Sequence, residues 1–192
     1  MNKIVMGKKA FMLVVFGVAL LLSSAPVFAQ KTMKITANAR GTSTQLGKVI
    51  GVDFWVREYS GDDERSALVQ AFSEKGSEGL ANALDKLKSK GRIAITGTLG
   101  FDVNYIKSFK KEDGSEVIRF VTDRPITFAE NWASTRSRDY QISMGEIVIR
   151  KEKGKSTGTI WPVAKLKLNK NNELEIETFQ NPWELTNIRV SK

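Results

Sequence analysis

Most of the chain beyond residue 31 alternates between apolar and polar positions, with the period of two that is typical of β-strands. Between Lys48 and Tyr59 the even positions from Ile50 to Val56 form one apolar face, and Trp55 lies on the opposite face. Comparable patterns predict eight or nine strands. The main segments are 32–39, 48–59, 92–105, 116–122, 140–149, 157–168 and 183–190.

The longest of these patterns runs from Arg92 to Tyr105, where every odd position from Ile93 onward is apolar or glycine. Gly97 and Gly100 lie inside it, and interior glycines in long strands commonly mark bends or bulges where a sheet coils toward closure. The pattern therefore predicts one long, bent strand.

The turn at residues 169–172 predicts a specific pairing between the strands on either side of it. A hairpin in which apolar side chains share one face also places opposite charges across from each other on the other face. The pairs are Leu168 with Leu174, Leu166 with Ile176, Lys167 with Glu175, and Lys165 with Glu177. A slip of one residue would set leucines opposite glutamates, so we expect this register to hold.

Between residues 62 and 90 the apolar spacing changes to that of helices. Ser60-Gly61-Asp62-Asp63 is typical of a helix start, and Lys75-Gly76 of a helix end. A second helix is predicted from Ser77, with Leu80, Leu84 and Leu87 on one side. These signals predict a helical hairpin at about residues 62–90, inserted between strands.

Together the elements predict a mainly β fold: an antiparallel barrel of the calycin or lipocalin-like type, or a sandwich, of eight to nine strands with an inserted helical hairpin. The barrel is favoured over the sandwich. The sequence shows no internal repeat and no low-complexity linker, so residues 30–192 are predicted to form a single domain.

Residues 1–29 have the organisation of a signal peptide. Three lysines precede an unbroken apolar run from Ala10 to Leu22, and small residues end the segment at Ala29. The run is shorter than a membrane-spanning helix requires. We therefore expect cleavage after Ala29, export to the periplasm or the extracellular medium, and no integral membrane insertion afterwards.

The composition restricts the chemistry. The chain contains no Cys and no His, which excludes disulfides, Ser-His-Asp and Cys-His catalysis, and zinc sites built on those side chains. Carboxylates remain as general acid and base, and a carboxylate-dependent hydrolase is the less favoured alternative. Its candidates are Asp102, Asp123, Glu130 and Asp139. Nothing in their spacing singles out a pair, so we expect no enzyme activity and no cofactor.

Two sets of residues are candidates for ligand binding. Four aromatic residues could line an apolar cavity if the sheet closes, although core packing is the commoner role of such side chains. They are Trp55, Tyr59, Trp132 and Trp161. Three arginines could bind an anion, although ion pairs with Asp123 and Asp139 are the commoner arrangement. They are Arg124, Arg136 and Arg138.

Two further site classes are not favoured. The carboxylates of Asp62, Asp63 and Glu64 could hold a calcium ion, but their spacing does not match a calcium loop and acids favour helix starts, so no metal site is predicted. The net charge is +9, or +6 without the signal segment, but the charges form no stripe. Nucleic acid is therefore not an expected partner.

Segments 36–43, 88–97 and 180–183, which read TANARGTS, KSKGRIAITG and QNPW, resemble those of a group of uncharacterised exported bacterial proteins. The resemblance implies a β-rich exported domain and no particular activity. The leading functional hypothesis is a binding protein for a small apolar or amphipathic ligand, held inside or at the mouth of the β structure. The alternative is an interaction protein that uses its basic surface on anionic envelope components.

Overall fold

The computed structural model describes residues 32–42, 47–126, 141–152, 154–168, 170, 174–178 and 181–191. Within these ranges the chain forms ten antiparallel strands and one helix. The strands are β1 (Met33–Gly41), β2 (Val49–Val56), β3 (Gly91–Ile95), β4 (Phe101–Val103), β5 (Tyr105–Lys110), β6 (Glu116–Thr122), β7 (Ile142–Ile149), β8 (Thr157–Leu168), β9 (Leu174–Thr178) and β10 (Trp183–Ser191). The helix α1 spans Asp62–Asp85. The predicted mainly β class is confirmed.

The strands form one sheet that curls into a nearly closed barrel. Their order is β4-β3-β2-β1-β10-β8-β7-β6-β5, and β9 pairs with β8. β4 and β5, at the two ends of this order, are consecutive in the chain and are separated only by Asn104, so one segment joins both edges. Two flanking residues pair with it: the N–H of Lys90 donates to Val103 at 2.8 Å, and that of Ser60 donates to Ile106 at 2.7 Å.

Inward-pointing side chains from β1 to β8 and from β10 fill the interior of the barrel. Phe54 and Phe120 lie at its centre with ring centroids 4.8 Å apart. Phe120 pairs across the sheet with Gly145, and a Cβ at Gly145 would lie only 2.4 Å from the ring. The glycine therefore provides the space that the phenylalanine occupies. Trp183, 2 % exposed, belongs to the same core.

The helix covers part of the outer surface of the barrel. Leu68, Leu80 and Leu84 pack against Ile142 and Ala164 in a second apolar cluster. Burial of both faces of β7 and β8 in this region explains why polar alternation is weak there.

The predicted break in the helical region is present. Lys75 and Gly76 have non-helical backbone angles, and Gly76 has a φ of +61°. Gly79 lies so close to Ala71 that a Cβ on it would be 2.3 Å from the Ala71 carbonyl oxygen. Residues eight apart in an unbroken helix are separated by about 12 Å. The chain therefore turns back sharply at Gly76, as expected of a helical hairpin.

The prediction of one long strand from Arg92 to Tyr105 is wrong. Residues 96–100 form a turn between β3 and β4, in which Gly97 has a φ of +89° and Gly100 a φ of +72°. Only glycine adopts such angles readily. The apolar alternation resumes in phase after the turn, so the period alone did not reveal it.

The predicted register of the hairpin formed by β8 and β9 is confirmed at all four pairs. Lys167 lies 3.7 Å from Glu175 and 3.2 Å from Glu177, and Lys165 lies 3.6 Å from Glu177. Charge complementarity on one face and leucine pairing on the other thus select the same alignment.

Candidate functional site

An open groove of about 800 Å³ lies on the outer face of the sheet, where β10, β1, β2 and β3 run side by side. Odd residues of β1 and even residues of β2 fill the interior, so their other residues face outward. Seven of the nine lining residues are polar or charged. The lining consists of Lys34, Thr36, Ala37, Asn38, Gly51, Asp53, Thr96, Asn187 and Arg189.

The groove residues form cross-strand rows. One row runs from Arg189 on β10 through Thr36 on β1 to Asp53 on β2. The next row pairs Asn38 with Gly51. Neighbouring strands are about 4.8 Å apart, so the backbones of Arg189 and Asp53 are separated by about 10 Å across the groove.

Gly51 forms the floor of the groove because it has no side chain. A Cβ at this position would lie 2.8 Å from Thr96 Oγ1, and any larger side chain would extend into the open space. The Thr96 N–H donates to the Gly51 carbonyl at 2.9 Å, which fixes β2 against the chain that follows β3. The groove thus exists because a glycine lies at an outward strand position.

A β-bulge in β10 completes the lining. The pairing with β1 shifts between Thr36 and Asn38, and Asn187 has a φ of +52°. Asparagine tolerates the left-handed region better than most residues. The extra residue lets Ile188 pack on the interior while Asn187 and Arg189 both line the outer groove.

The charges in the groove are unevenly balanced. Lys34 Nζ lies 3.4 Å from the Asp53 carboxylate, which is 11 % exposed, and 5.1 Å from the centre of the Trp55 ring. Lys34 is therefore held by an ion pair and by a cation–π contact. Among the described residues, Arg189 forms no ion pair, so its guanidinium is available to a ligand. The groove carries one net positive charge.

The four predicted aromatic residues do not form one site in the described structure. Trp55 lies on the outer face of β2, and Trp161 packs on α1 in the outer apolar cluster. Tyr59 is 40 % exposed, with its hydroxyl 3.5 Å from Glu116. Burial, with a smaller contribution from the Glu116 charge, raises the pKa of Tyr59. Trp132 lies outside the described residues.

Of the three predicted anion-binding arginines, only Arg124 lies within the described residues. Its guanidinium makes two hydrogen bonds to Asp123, at 3.0 and 2.5 Å, and lies 4.0 Å from Asp85. This arrangement is the ion pair named above as the commoner alternative. Arg136 and Arg138 lie outside the described residues, so their role stays a prediction.

The predicted catalytic carboxylates that are described each have a partner. Asp102 accepts a hydrogen bond from the Ser89 hydroxyl at 2.8 Å and lies 3.4 Å from Arg57. Asp123 is bound by Arg124. Glu130 and Asp139 lie outside the described residues.

The carboxylate cluster at residues 60–64 starts α1. Glu64 accepts the Gly61 N–H at 2.9 Å, which is the one half of a capping box that a glycine N-cap allows. The nearly buried Lys90 bridges Glu58 at 2.5 Å and Glu64 at 2.8 Å. This lysine joins the helix start to the segment that enters β3. In the described part of the chain, no group of carboxylates is arranged to hold a metal ion.

We expect this bridge to make stability depend on pH at both extremes. Burial acts to raise the pKa of Glu64, but the Lys90 and Gly61 hydrogen bonds outweigh it and hold the pKa below its ordinary 4.5. Hydrogen bonds from Lys90 to Glu58 and Glu64 raise the pKa of Lys90 above 10.5. The Glu64 contribution is present above about pH 4.5 and lost on acidification, and the Lys90 contribution is lost as pH rises through its raised pKa.

Lys90→Met should lower the free energy of unfolding by about 2 kcal/mol at neutral pH and flatten both limbs of its pH profile. Removing one partner of a fully buried ion pair costs about 3–5 kcal/mol. The loss expected here is smaller, because Glu58 is 37 % exposed. Lys107→Met is the matched control, because its partner Asp62 is 90 % exposed, and it should change little. Urea unfolding between pH 3 and 11 measures the free energy of unfolding of both variants. Equal effects of the two variants would contradict the assignment.

Comparison with known proteins returns no match to a family model, to a curated protein or to a solved structure. Among the described residues, no helix is both long and apolar enough to span a membrane. Function is therefore argued from the geometry of the groove.

The groove was not predicted from the sequence, for a specific reason. Its polar residues alternate regularly along β1 and β2, as they do on any solvent-facing strand. The available signals were Gly51, an outward glycine inside a strand, and Asp53, an acid on the same strand face between Gly51 and Trp55. The bulge at Asn187 also had a signal, because the apolar positions change from odd at Trp183 and Leu185 to even at Ile188.

Proposed function

We propose that the chain is an exported, non-enzymatic binding protein that holds a polar, anionic ligand in the groove formed by β10, β1, β2 and β3. The observation that carries the proposal is Arg189, a groove-lining guanidinium without an ion-pair partner among the described residues. Arginine binds carboxylate and phosphate groups through two parallel hydrogen bonds. The organisation of residues 1–29 as a signal peptide supports export.

The proposal favours the anionic envelope component over the apolar ligand held inside the barrel. The described interior is filled by buried side chains such as Phe54, Phe120 and Trp183. The groove, in contrast, presents hydroxyl, amide and charged groups to solvent. Such a lining suits a ligand that exchanges hydrogen bonds with it and carries negative charge.

A second candidate is an apolar ligand at the mouth of the barrel. The turn between β1 and β2 and the turn between β3 and β4 lie at the same end, because these strands are antiparallel neighbours. Val49 is 55 % exposed there and Leu99 is 82 % exposed. Co-purification of a lipid-like molecule, detected by native mass spectrometry of protein taken from its own envelope, would favour this candidate.

Arg189→Gln should weaken the binding of an anionic probe by about 10-fold. The reason is the loss of a hydrogen bond to a charged group, which contributes about 1.5–3 kcal/mol. Calorimetric titration with oligogalacturonate, a carboxylated sugar oligomer, measures this effect. Affinity of the unchanged chain should also fall with added salt, since the Debye length shrinks from about 10 Å at 0.1 M to about 3 Å at 1 M.

Arg65→Gln is the matched control, because it removes the same charge from an exposed position on α1. It should leave affinity within about twofold of the unchanged chain, which is the range expected of a screened distant charge. Equal losses in the two variants would show that overall charge, and not the groove, determines binding.

A further inference from the structure

The groove contains an acid as well as cations, and this restricts the class of ligand. Asp53 lies at the centre of the lining with its carboxylate 11 % exposed. An ionised carboxylate only accepts hydrogen bonds, so it is satisfied by a ligand group that donates. A simple polyanion offers no donor, so it would gain no hydrogen bond from Asp53, which Lys34 already holds at 3.4 Å.

The rest of the lining has groups that both donate and accept. Thr36 and Thr96 contribute hydroxyls, and Asn38 and Asn187 contribute amides. Sugar hydroxyls also donate and accept, so they match such groups in either direction. Arg189, which forms no ion pair within the part of the chain that the structure describes, lies at the β10 side, two strands away from Asp53. The lining therefore offers an anionic group a position on β10 and hydroxyls a position two strands away on β2.

We propose that the groove binds an acidic saccharide, with a carboxylate or other anionic substituent on Arg189 and hydroxyls on Asp53, Thr36, Asn38 and Thr96. This inference rests on the proposed function, because it names the ligand of the same groove. Lys34 is held between Asp53 and Trp55 and adds a second positive charge to the same groove.

The site length supports an oligomer over a single ion. Arg189 and Asp53 lie on strands whose backbones are about 10 Å apart, and a ligand that reaches both residues needs more than one polar unit. The groove is open, so a chain can enter from the side and continue beyond it. A saccharide with one anionic group per unit can therefore place one such group on Arg189 and hydroxyls of a neighbouring unit on Asp53.

The test compares four probes by calorimetric titration of the full chain. They are oligogalacturonate, its neutral methyl ester, inorganic polyphosphate, and vesicles that contain an anionic phospholipid. Oligogalacturonate should bind at least about 10-fold more tightly than each of the others. A ratio of about 10-fold corresponds to the loss of one charge-assisted hydrogen bond, either the one to Arg189 or the one to Asp53.

Asp53→Asn gives the sharpest result, because it removes the acid and keeps the size of the side chain. The variant should bind oligogalacturonate less tightly and polyphosphate more tightly than the unchanged chain does. The ratio of the two affinities should therefore narrow or reverse. Urea unfolding of the variant shows that it is folded. Tyr59→Ala is the control for a residue that does not line the groove, and it should leave the preference unchanged.

The outcomes separate the two proposals. If polyphosphate binds as tightly as oligogalacturonate and Arg189→Gln weakens both, the groove recognises charge alone: the saccharide inference is overturned and the proposed function stands. Preferential binding to the vesicles also overturns the saccharide inference. If no probe binds, or if Arg189→Gln changes nothing, both proposals are overturned.

Discussion

Phe120→Ala is expected to lower the free energy of unfolding by about 3–5 kcal/mol, the range for truncating a large aromatic residue in a well-packed core. Phe120 is 1 % exposed, stacks near Phe54, and covers Gly145. Gly145 has no side chain that could fill the space left behind. The cavity would therefore remain, and its cost adds to the lost burial.

Urea unfolding of the chain measures this effect. Phe109→Ala is the matched control, because Phe109 is 37 % exposed on β5 and its ring centre lies 4.9 Å from the Arg119 guanidinium. This control should cost no more than about 1 kcal/mol, the range of an exposed cation–π contact. A loss below about 1 kcal/mol for Phe120→Ala would contradict the packed interior.

Gly51→Val is expected to abolish binding in the groove, with a loss of more than about 100-fold. Valine suits a strand position, and Gly51 does not have a left-handed φ, so the backbone accepts the change. The new side chain would occupy the floor between Asn38 and Thr96. A ligand would then lose contacts in more than one row, and two charge-assisted hydrogen bonds already correspond to about 100-fold.

The first atom of that side chain would press on Thr96 Oγ1 at 2.8 Å. Adding Thr96→Ala removes this contact, and Thr96→Ala alone shows how much the lost hydroxyl contributes. Titration with oligogalacturonate and urea unfolding should be run on all three variants. Unchanged affinity in a folded Gly51→Val chain would place the ligand elsewhere.

Patterns that involve both faces of a strand were predictable from the sequence. The register of β8 and β9 follows from leucines on one face and opposite charges on the other, and every predicted pair is observed. The start of α1 and its interruption at Gly76 follow from local signals that act over a few residues.

A turn that leaves the alternation of apolar and polar positions in phase could not be predicted from that alternation. The turn at residues 96–100 continues the odd apolar positions, so a hairpin looks like one strand. The bulge at Asn187 does change the phase, from odd apolar positions up to Leu185 to even ones from Ile188, but this change alone does not show that the bulge lines a groove. The groove depends on this bulge and on Gly51, so it emerges only when four strands are assembled.

The most direct test of the groove as the binding site is mapping of backbone amide chemical shifts by NMR during titration with oligogalacturonate. The account predicts that the largest shifts lie on the outward rows of β10, β1 and β2 and at Thr96. Amides of β6 and α1, on the other side of the barrel, should be unaffected. Shifts concentrated at the mouth around Val49 and Leu99, or spread over the exposed lysines without saturation, would contradict it.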